Sequence, residues 1–195
     1  AAAALAMPLP AHAQFAGTPV VDTGVVLDPN TGQAPTSASN IFVVGSDFAQ
    51  ITWTPASSTG NAGTAIDFLP EANAVAFWDG GRFGDFTVLN RIVNLPGDSR
   101  RIAFNGSVSS FVGDTIGGTV WFYSPSGILV GPDAYMDVGN LLLSTGAIAR
   151  GDNGAVTISG AAAPIENRGV LDGNGYVALV APGIVQAGTV QAGRT

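Results

Sequence analysis

From residue 40 onward, short apolar runs alternate with turn residues. The runs include NIFVVG, AQITWTP, AIDFLP, NAVAFW, FTVLNRIVN, RIAFNGSVSSFV, GTVWFYS, GILVG, YMDVG, AVTISG and YVALVAP. Most are strand-sized and are bounded by Gly, Pro, Asn, Asp or Ser. Runs of this length, punctuated by turn residues, read as strands. No sustained spacing of 3.6 follows residue 14, so helices are not expected. The pattern predicts an all-β protein of many short strands.

The second half carries a faint repeat. Asn105-Gly106-Ser107-Val108, Ser126-Gly127-Ile128-Leu129, Thr145-Gly146-Ala147-Ile148, Arg168-Gly169-Val170-Leu171 and Ala187-Gly188-Thr189-Val190 all read x-Gly-x-aliphatic. The glycines are spaced by 21 (106 to 127), 19 (127 to 146), 23 (146 to 169) and 19 (169 to 188) residues. Near-constant spacing predicts the stacked coils of a parallel β-helix, with Gly at corners and the aliphatic residue pointing inward. A β-sandwich, with turn signals every 8 to 12 residues or so, is the competing architecture.

Residues 15–85 lack the repeat and hold turn-rich inserts: LDPNTGQAPTSASN, ASSTGNAGT and WDGGRFGD. An irregular cap is expected there, because an open β-helix end templates aggregation. Residues 14–85 are therefore read as cap and inserts, and 86–195 as coils. The rhythm is still running at Arg194-Thr195, so a longer protein is expected to continue beyond it.

Composition narrows the class. The 195 residues are 46% apolar and 11% charged, a balance that favours a packed core over disorder. The formal net charge is −7, and every one of the seven Lys+Arg positions is Arg. Beyond Arg100-Arg101 there is no basic tract, which argues against nucleic acid as a partner. The start, AAAALAMPLPAHAQF, reads as the end of a secretory signal peptide over residues 1–13, with Ala11 and Ala13 flanking His12 in an A-x-A cleavage site. With zero Cys, stability must come from packing and ladder hydrogen bonds rather than disulfides.

That cleavage would leave no His, Cys or Lys in the mature chain. Ser-His-Asp and Cys-His sites, Lys Schiff bases and His- or Cys-bound zinc then drop out, and no cofactor is expected. Ser124 and Ser126 have no base and no G-x-S-x-G context. Twelve Asp and two Glu remain. Asp133 and Asp137, or Asp67 and Glu71, are spaced to share one face of a strand, as paired carboxylates for glycoside cleavage; turn and surface acids are the plainer reading. DGGRFGD, Asp79 to Asp85, is superficially like a calcium-binding nonapeptide but is not tandemly repeated. LDPNTGQ and RGDNGA read as single turns, the latter with a three-letter Arg150-Gly151-Asp152 match to integrin ligands. Phe77-Trp78, Phe83, Phe86 and Trp121-Phe122-Tyr123 form aromatic clusters, expected chiefly as packing.

FTVLNRIV (86–93), GTVWFYSPSGILVGPDAYMDVGNLLLST (118–145) and IENRGVLDGNGYVALVAPGIVQAGTV (165–190) resemble the N-terminal secretion domain of filamentous haemagglutinin-type exoproteins, the two-partner secretion domain. The likeness covers about residues 15 to 195 and is sharp from about 86. It implies a right-handed parallel β-helix, a pectin-lyase-like solenoid, with an N-terminal cap and extra-helical β-hairpins. It implies a partner too: an outer-membrane β-barrel transporter whose periplasmic POTRA domains recognise the domain. The chain would head a larger adhesin, haemagglutinin or toxin, secreted or held at the surface of a Gram-negative bacterium. The family's Asn-Pro-Asn-Gly-Ile motif matches Ser124, Pro125, Ser126, Gly127 and Ile128, with both Asn replaced by Ser. Its Leu-Asn-Arg/Glu segment matches Leu89, Asn90 and Arg91. A second motif, Asn-Pro-Asn-Leu, has no counterpart here.

Ser-Pro-Ser-Gly suits a type I turn, with a polar first residue, Pro at the second position and Gly at the fourth. A rigid corner that fixes register, or direct contact with the transporter, are the two roles such a turn can have. Two other function classes stay open at this point: a sugar- or host-binding adhesin segment, and a β-helical polysaccharide-active enzyme.

Overall fold

The structure, a computed structural model, describes residues 14–56, 65–82, 84–151 and 154–193. Among them it is all β, with 21 strands and no helix. Three mostly parallel sheets hold nearly all of these strands.

The chain visits the three sheets in a fixed order. β4 (Phe48–Pro55) lies in the first sheet, β5 (Ala65–Leu69) in the second and β6 (Ala74–Trp78) in the third. The next rounds are β7 (Thr87–Ile92), β8 (Arg101–Phe104), β9 (Ser107–Val112), then β11 (Thr119–Tyr123), β12 (Ile128–Val130), β13 (Tyr135–Val138). β14 (Asn140–Ser144), β17 (Ile165–Asn167), β18 (Val170–Gly173) and β19 (Val177–Val180), β20 (Ile184–Gln186), β21 (Thr189–Ala192) complete the series. The first round falls inside the stretch read from sequence as cap and inserts.

Antiparallel strands decorate this series. β1 (Gly17–Thr23) pairs with β4, β2 (Val26–Leu27) with β3 (Ile41–Val44), and β10 (Thr115–Ile116) with β9. β15 (Ala147–Arg150) and β16 (Val156–Ser159) form a separate two-stranded sheet between β14 and β17.

Parallel register stacks like on like. Ile66, Ile102, Ile128, Ile165 and Ile184 are successive partners across the second sheet. The first four are buried, and Ile184, on the last strand, is 46% exposed. Each buried Ile contributes about 1.5–3 kcal/mol relative to exposure. In the third sheet Val75, Val108, Met136, Leu171 and Val190 form the matching ladder. Toward the N-terminal end the interior fills with aromatic rings: Phe15 stacks on Phe68 at 4.8 Å and lies edge-on to Trp53 at 5.0 Å.

The rounds differ in length. Ala49, Val88, Val120, Leu141 and Val177 are partners across the first sheet, so the steps are 39 (49 to 88), 32 (88 to 120), 21 (120 to 141) and 36 (141 to 177) residues. The repeat expected at 19 to 23 residues mixes positions that are not equivalent. Gly106, Gly169 and Gly188 do precede aligned strands of the third sheet. Gly127 instead opens β12 of the second sheet, and Gly146 leads into the separate hairpin. RIAFNGSVSSFV is two strands, β8 and β9, separated at Asn105-Gly106, where only Gly fits because a Cβ on residue 106 would lie 2.3 Å from the carbonyl oxygen of Asn73.

Candidate functional site

Leu89, Asn90 and Arg91 lie in β7, flanked by β4 and β11. Asn90 shares the inward parity of Val88 and Ile92 and is fully buried. Its Oδ1 accepts the indole N–H of Trp53 at 3.0 Å, and its Nδ2 donates to the carbonyl of Trp121 at 3.4 Å. A polar side chain in the core is thus satisfied by both neighbouring rounds. Leu89 and Arg91 face the other way, and the Arg91 guanidinium lies 6.0 Å from the Tyr123 ring centroid.

Tyr123 runs into the corner Ser124-Pro125-Ser126-Gly127-Ile128. The Gly127 N–H donates to the Ser124 carbonyl at 3.3 Å, the bond of a four-residue turn. Ser126 does not have positive φ, which rules out type II and agrees with the type I turn expected from sequence. Gly127 has φ +102°, and a Cβ there would lie 3.0 Å from both Arg101 Cγ and the Pro164 carbonyl oxygen. Ser124 and Ile128 are buried, and Pro125 is exposed. The Ser124 N–H donates to Ser144 at 3.0 Å and the Ile128 N–H to Pro164 at 3.2 Å, tying the corner to the next round. The two motif segments therefore sit side by side: Arg91 is the register partner of Tyr123, which precedes Ser124.

Leu89, Trp121 and Leu142 form an apolar stripe on the outer face of the first sheet. The β15–β16 hairpin covers it with Ile148 and Ile158. Beside the hairpin runs a groove of about 530 Å³ with Phe48, Gln50 and Leu89 on one side and Ile148 and Arg150 on the other. The Arg150 guanidinium lies 4.9 Å from the Phe48 ring centroid, a cation–π distance.

The acids are not arranged as a catalytic pair along one strand. β13 begins only at Tyr135, so Asp133 is in the exposed turn closed by the Ala134 N–H and Gly131 carbonyl, and Asp137 lies in the strand. The register partner of Asp137 is Asp172, a neighbour that sequence spacing does not reveal because it comes from the next round. Asp67 accepts from Asn105 Nδ2 at 2.8 Å, while Glu71 is in an exposed turn beyond Pro70.

Asp79 is fully buried and accepts backbone amides. Its Oδ1 accepts the N–H groups of Gly81 (2.9 Å) and Gly113 (3.1 Å), and its Oδ2 that of Gly84 (3.2 Å). Asp28 opens the LDPNTGQ turn by accepting from the Asn30 N–H, and the Ser39 hydroxyl holds its carboxyl below the usual range. Among the described residues no group of three or more His, Cys, Asp or Glu is placed to share a metal ion. On the outer face of the second sheet Glu166 takes Arg101 at 3.0 Å and also Arg168; Arg101 first, then Arg168, holds it below its ordinary value.

Of the aromatics, Phe77, Phe86 and Phe122 are in the core. Trp78 and Phe111, register partners, line a groove of about 360 Å³ on the third sheet's outer face. Ala11, His12, Ala13, Phe83 and Asp152 lie outside the described residues. No family model matches the chain, and no curated protein matches its sequence.

Proposed function

We propose that the chain is a two-partner-type secretion domain and that its three parallel sheets are the faces of a right-handed β-helix. The fixed first-second-third sheet order, five times over, supports the helix. Parallel crossovers are right-handed in about 98% of cases, which supports the hand. The β15–β16 hairpin is then an extra-helical element, and β1 and β2 belong to the cap.

The observation that carries the functional reading is the juxtaposition of the two motif segments. Leu89-Asn90-Arg91 and Ser124–Ile128 come from different rounds yet form one continuous patch through Arg91 and Tyr123. Asn90 and Gly127 hold the patch in register, and Arg91 and Pro125 present it outward. In this reading the domain performs no catalysis. The periplasmic domains of an outer-membrane transporter recognise the domain, and rounds stack outside as the chain emerges. Each round adds buried apolar surface worth about 25 cal/mol per Å², a bias toward export that needs no ATP.

The test is export of the full-length exoprotein by its partner transporter. Deleting residues 86–145 abolishes export if the reading holds; undiminished export of that deletion overturns it. A second reading, a sugar-binding adhesin segment, is favoured by the Trp78–Phe111 groove; Trp78→Ala lowering the binding of the fragment to a glycan array would support it.

A further inference from the structure

The groove beside the β15–β16 hairpin has a wall of unused backbone. In an antiparallel pair, alternate residues bond the partner strand and the others point away. The Gly151 N–H donates to the Ala155 carbonyl at 2.8 Å, and the register Ala149↔Thr157 and Ala147↔Ser159 continues that phase. The N–H and C=O groups of Ile148 and Arg150 therefore face away from β16. No strand pairs with that edge among the described residues.

The rest of the groove matches the needs of an added strand. The half-buried Phe48 supplies apolar surface above a floor formed by the buried Leu89, and Gln50 and Thr23 form a polar opposite rim. Arg150 supplies a positive charge on a protein of net charge −7. The ion pairs among the described residues join Arg100 to Asp98, and Arg101 and Arg168 to Glu166; Arg150 is in none of them. A two-stranded hairpin gains stability from a third strand, and strand addition to an open edge is an established recognition mode.

We propose that this groove binds an extended segment of a partner protein as a third strand on β15, with an apolar side chain on Phe48 and a carboxylate against Arg150. The partner is the transporter's periplasmic region, so the identity of the occupant rests on the secretion reading; the groove's chemistry does not.

The probe is a synthetic octapeptide alternating Val and Thr with one central Glu, titrated into the isotope-labelled protein by NMR. Its amide shifts fall on Ile148, Arg150 and Leu89. Arg150→Glu, an exposed change, weakens binding by about tenfold, the loss of one charge-assisted contact. Arg150→Pro removes an N–H that the hairpin itself does not use; Arg150→Ala loses the same guanidinium from the Phe48 ring, and Arg150→Pro should bind more weakly than Arg150→Ala. Shifts confined to β1 or to β19–β21, wild-type affinity in Arg150→Glu, or equal affinity in Arg150→Pro and Arg150→Ala, overturn the proposal. Self-association through the same amides without peptide also overturns it, in favour of a second copy. A separate titration with the transporter's isolated periplasmic domains tests the occupant. Binding that Arg150→Glu leaves intact overturns the assignment of this groove to the transporter. If the domains do not bind the wild-type protein while the peptide does, the secretion reading fails and the strand-binding groove stands.

Discussion

The indole N–H of Trp53 donates to Oδ1 of Asn90 across 3.0 Å, joining β4 to β7 inside the core. Both residues are almost wholly buried. Replacing Asn90 by Leu leaves the indole N–H without its partner, at a cost of about 1–3 kcal/mol. Urea denaturation reads the loss. The double variant Trp53→Phe/Asn90→Leu should cost less than the sum of the single variants, because neither polar group is then stranded.

Two changes at the Ser124–Ile128 corner should behave in opposite ways. Gly127→Ala forces a side chain onto φ +102° and within 3.0 Å of the Pro164 carbonyl, and it should lower stability by about 1–3 kcal/mol. Ser124→Ala should stay within about 0.5 kcal/mol of wild type, since the buried Ser124 Oγ has no protein hydrogen-bond partner to lose. Thermal melts of the two variants side by side decide this; a larger loss in Ser124→Ala would contradict it.

The Asp79 loop is predicted to be a structural clasp. Asp79→Ala strands the amides of Gly81, Gly84 and Gly113 and should cost about 2–4 kcal/mol. Millimolar calcium should leave the wild-type melting temperature unchanged. A calcium-dependent rise that Asp79→Ala abolishes would show a cation site instead.

Acid should weaken the second sheet through Glu166. Its folded pKa is held below the ordinary 4.5, chiefly by Arg101. The stabilisation is therefore fully present above the unfolded value and is lost as pH falls through the folded one. Glu166→Gln should lower stability at neutral pH by at most about 1 kcal/mol, since the ion pairs are partly exposed. The gap between variant and wild type should close below about pH 4.5. A gap that persists unchanged in acid would mean that packing, not charge, is what Glu166 supplies.

The existence of strands was legible in the chain, and their grouping was not. Every quoted apolar run contains a strand, because short apolar runs bounded by turn residues report buried extended chain directly. Some runs escaped notice: IEN of β17 is very short, GTPVVDT of β1 is broken by Pro and Asp, and NLLLS of β14 follows YMDVG with only Gly139 between the two strands. Ladder partners such as Ile128 and Ile165 lie far apart in sequence, and rounds of 21 to 39 residues hide them from any fixed period. Asn90 could have been placed inside from its parity with Val88 and Ile92. Trp53 as its partner could not, since that contact spans 37 residues. The groove at Arg150 needed the register of the hairpin: AVTISG was legible as a strand, but its pairing with β15 was not.

The unequal rounds also make the molecule a mechanical ruler. Apart from the β9–β10 pair, each strand of the three sheets pairs, among the described residues, with the strands directly before and after it in the stack. Tension applied at the two ends should peel one layer at a time. Released segments of 21 and 39 residues differ in contour length by roughly 60 Å, at about 3.3–3.6 Å per residue. A force–extension trace should therefore show unevenly spaced steps whose order spells out the inserts along the chain.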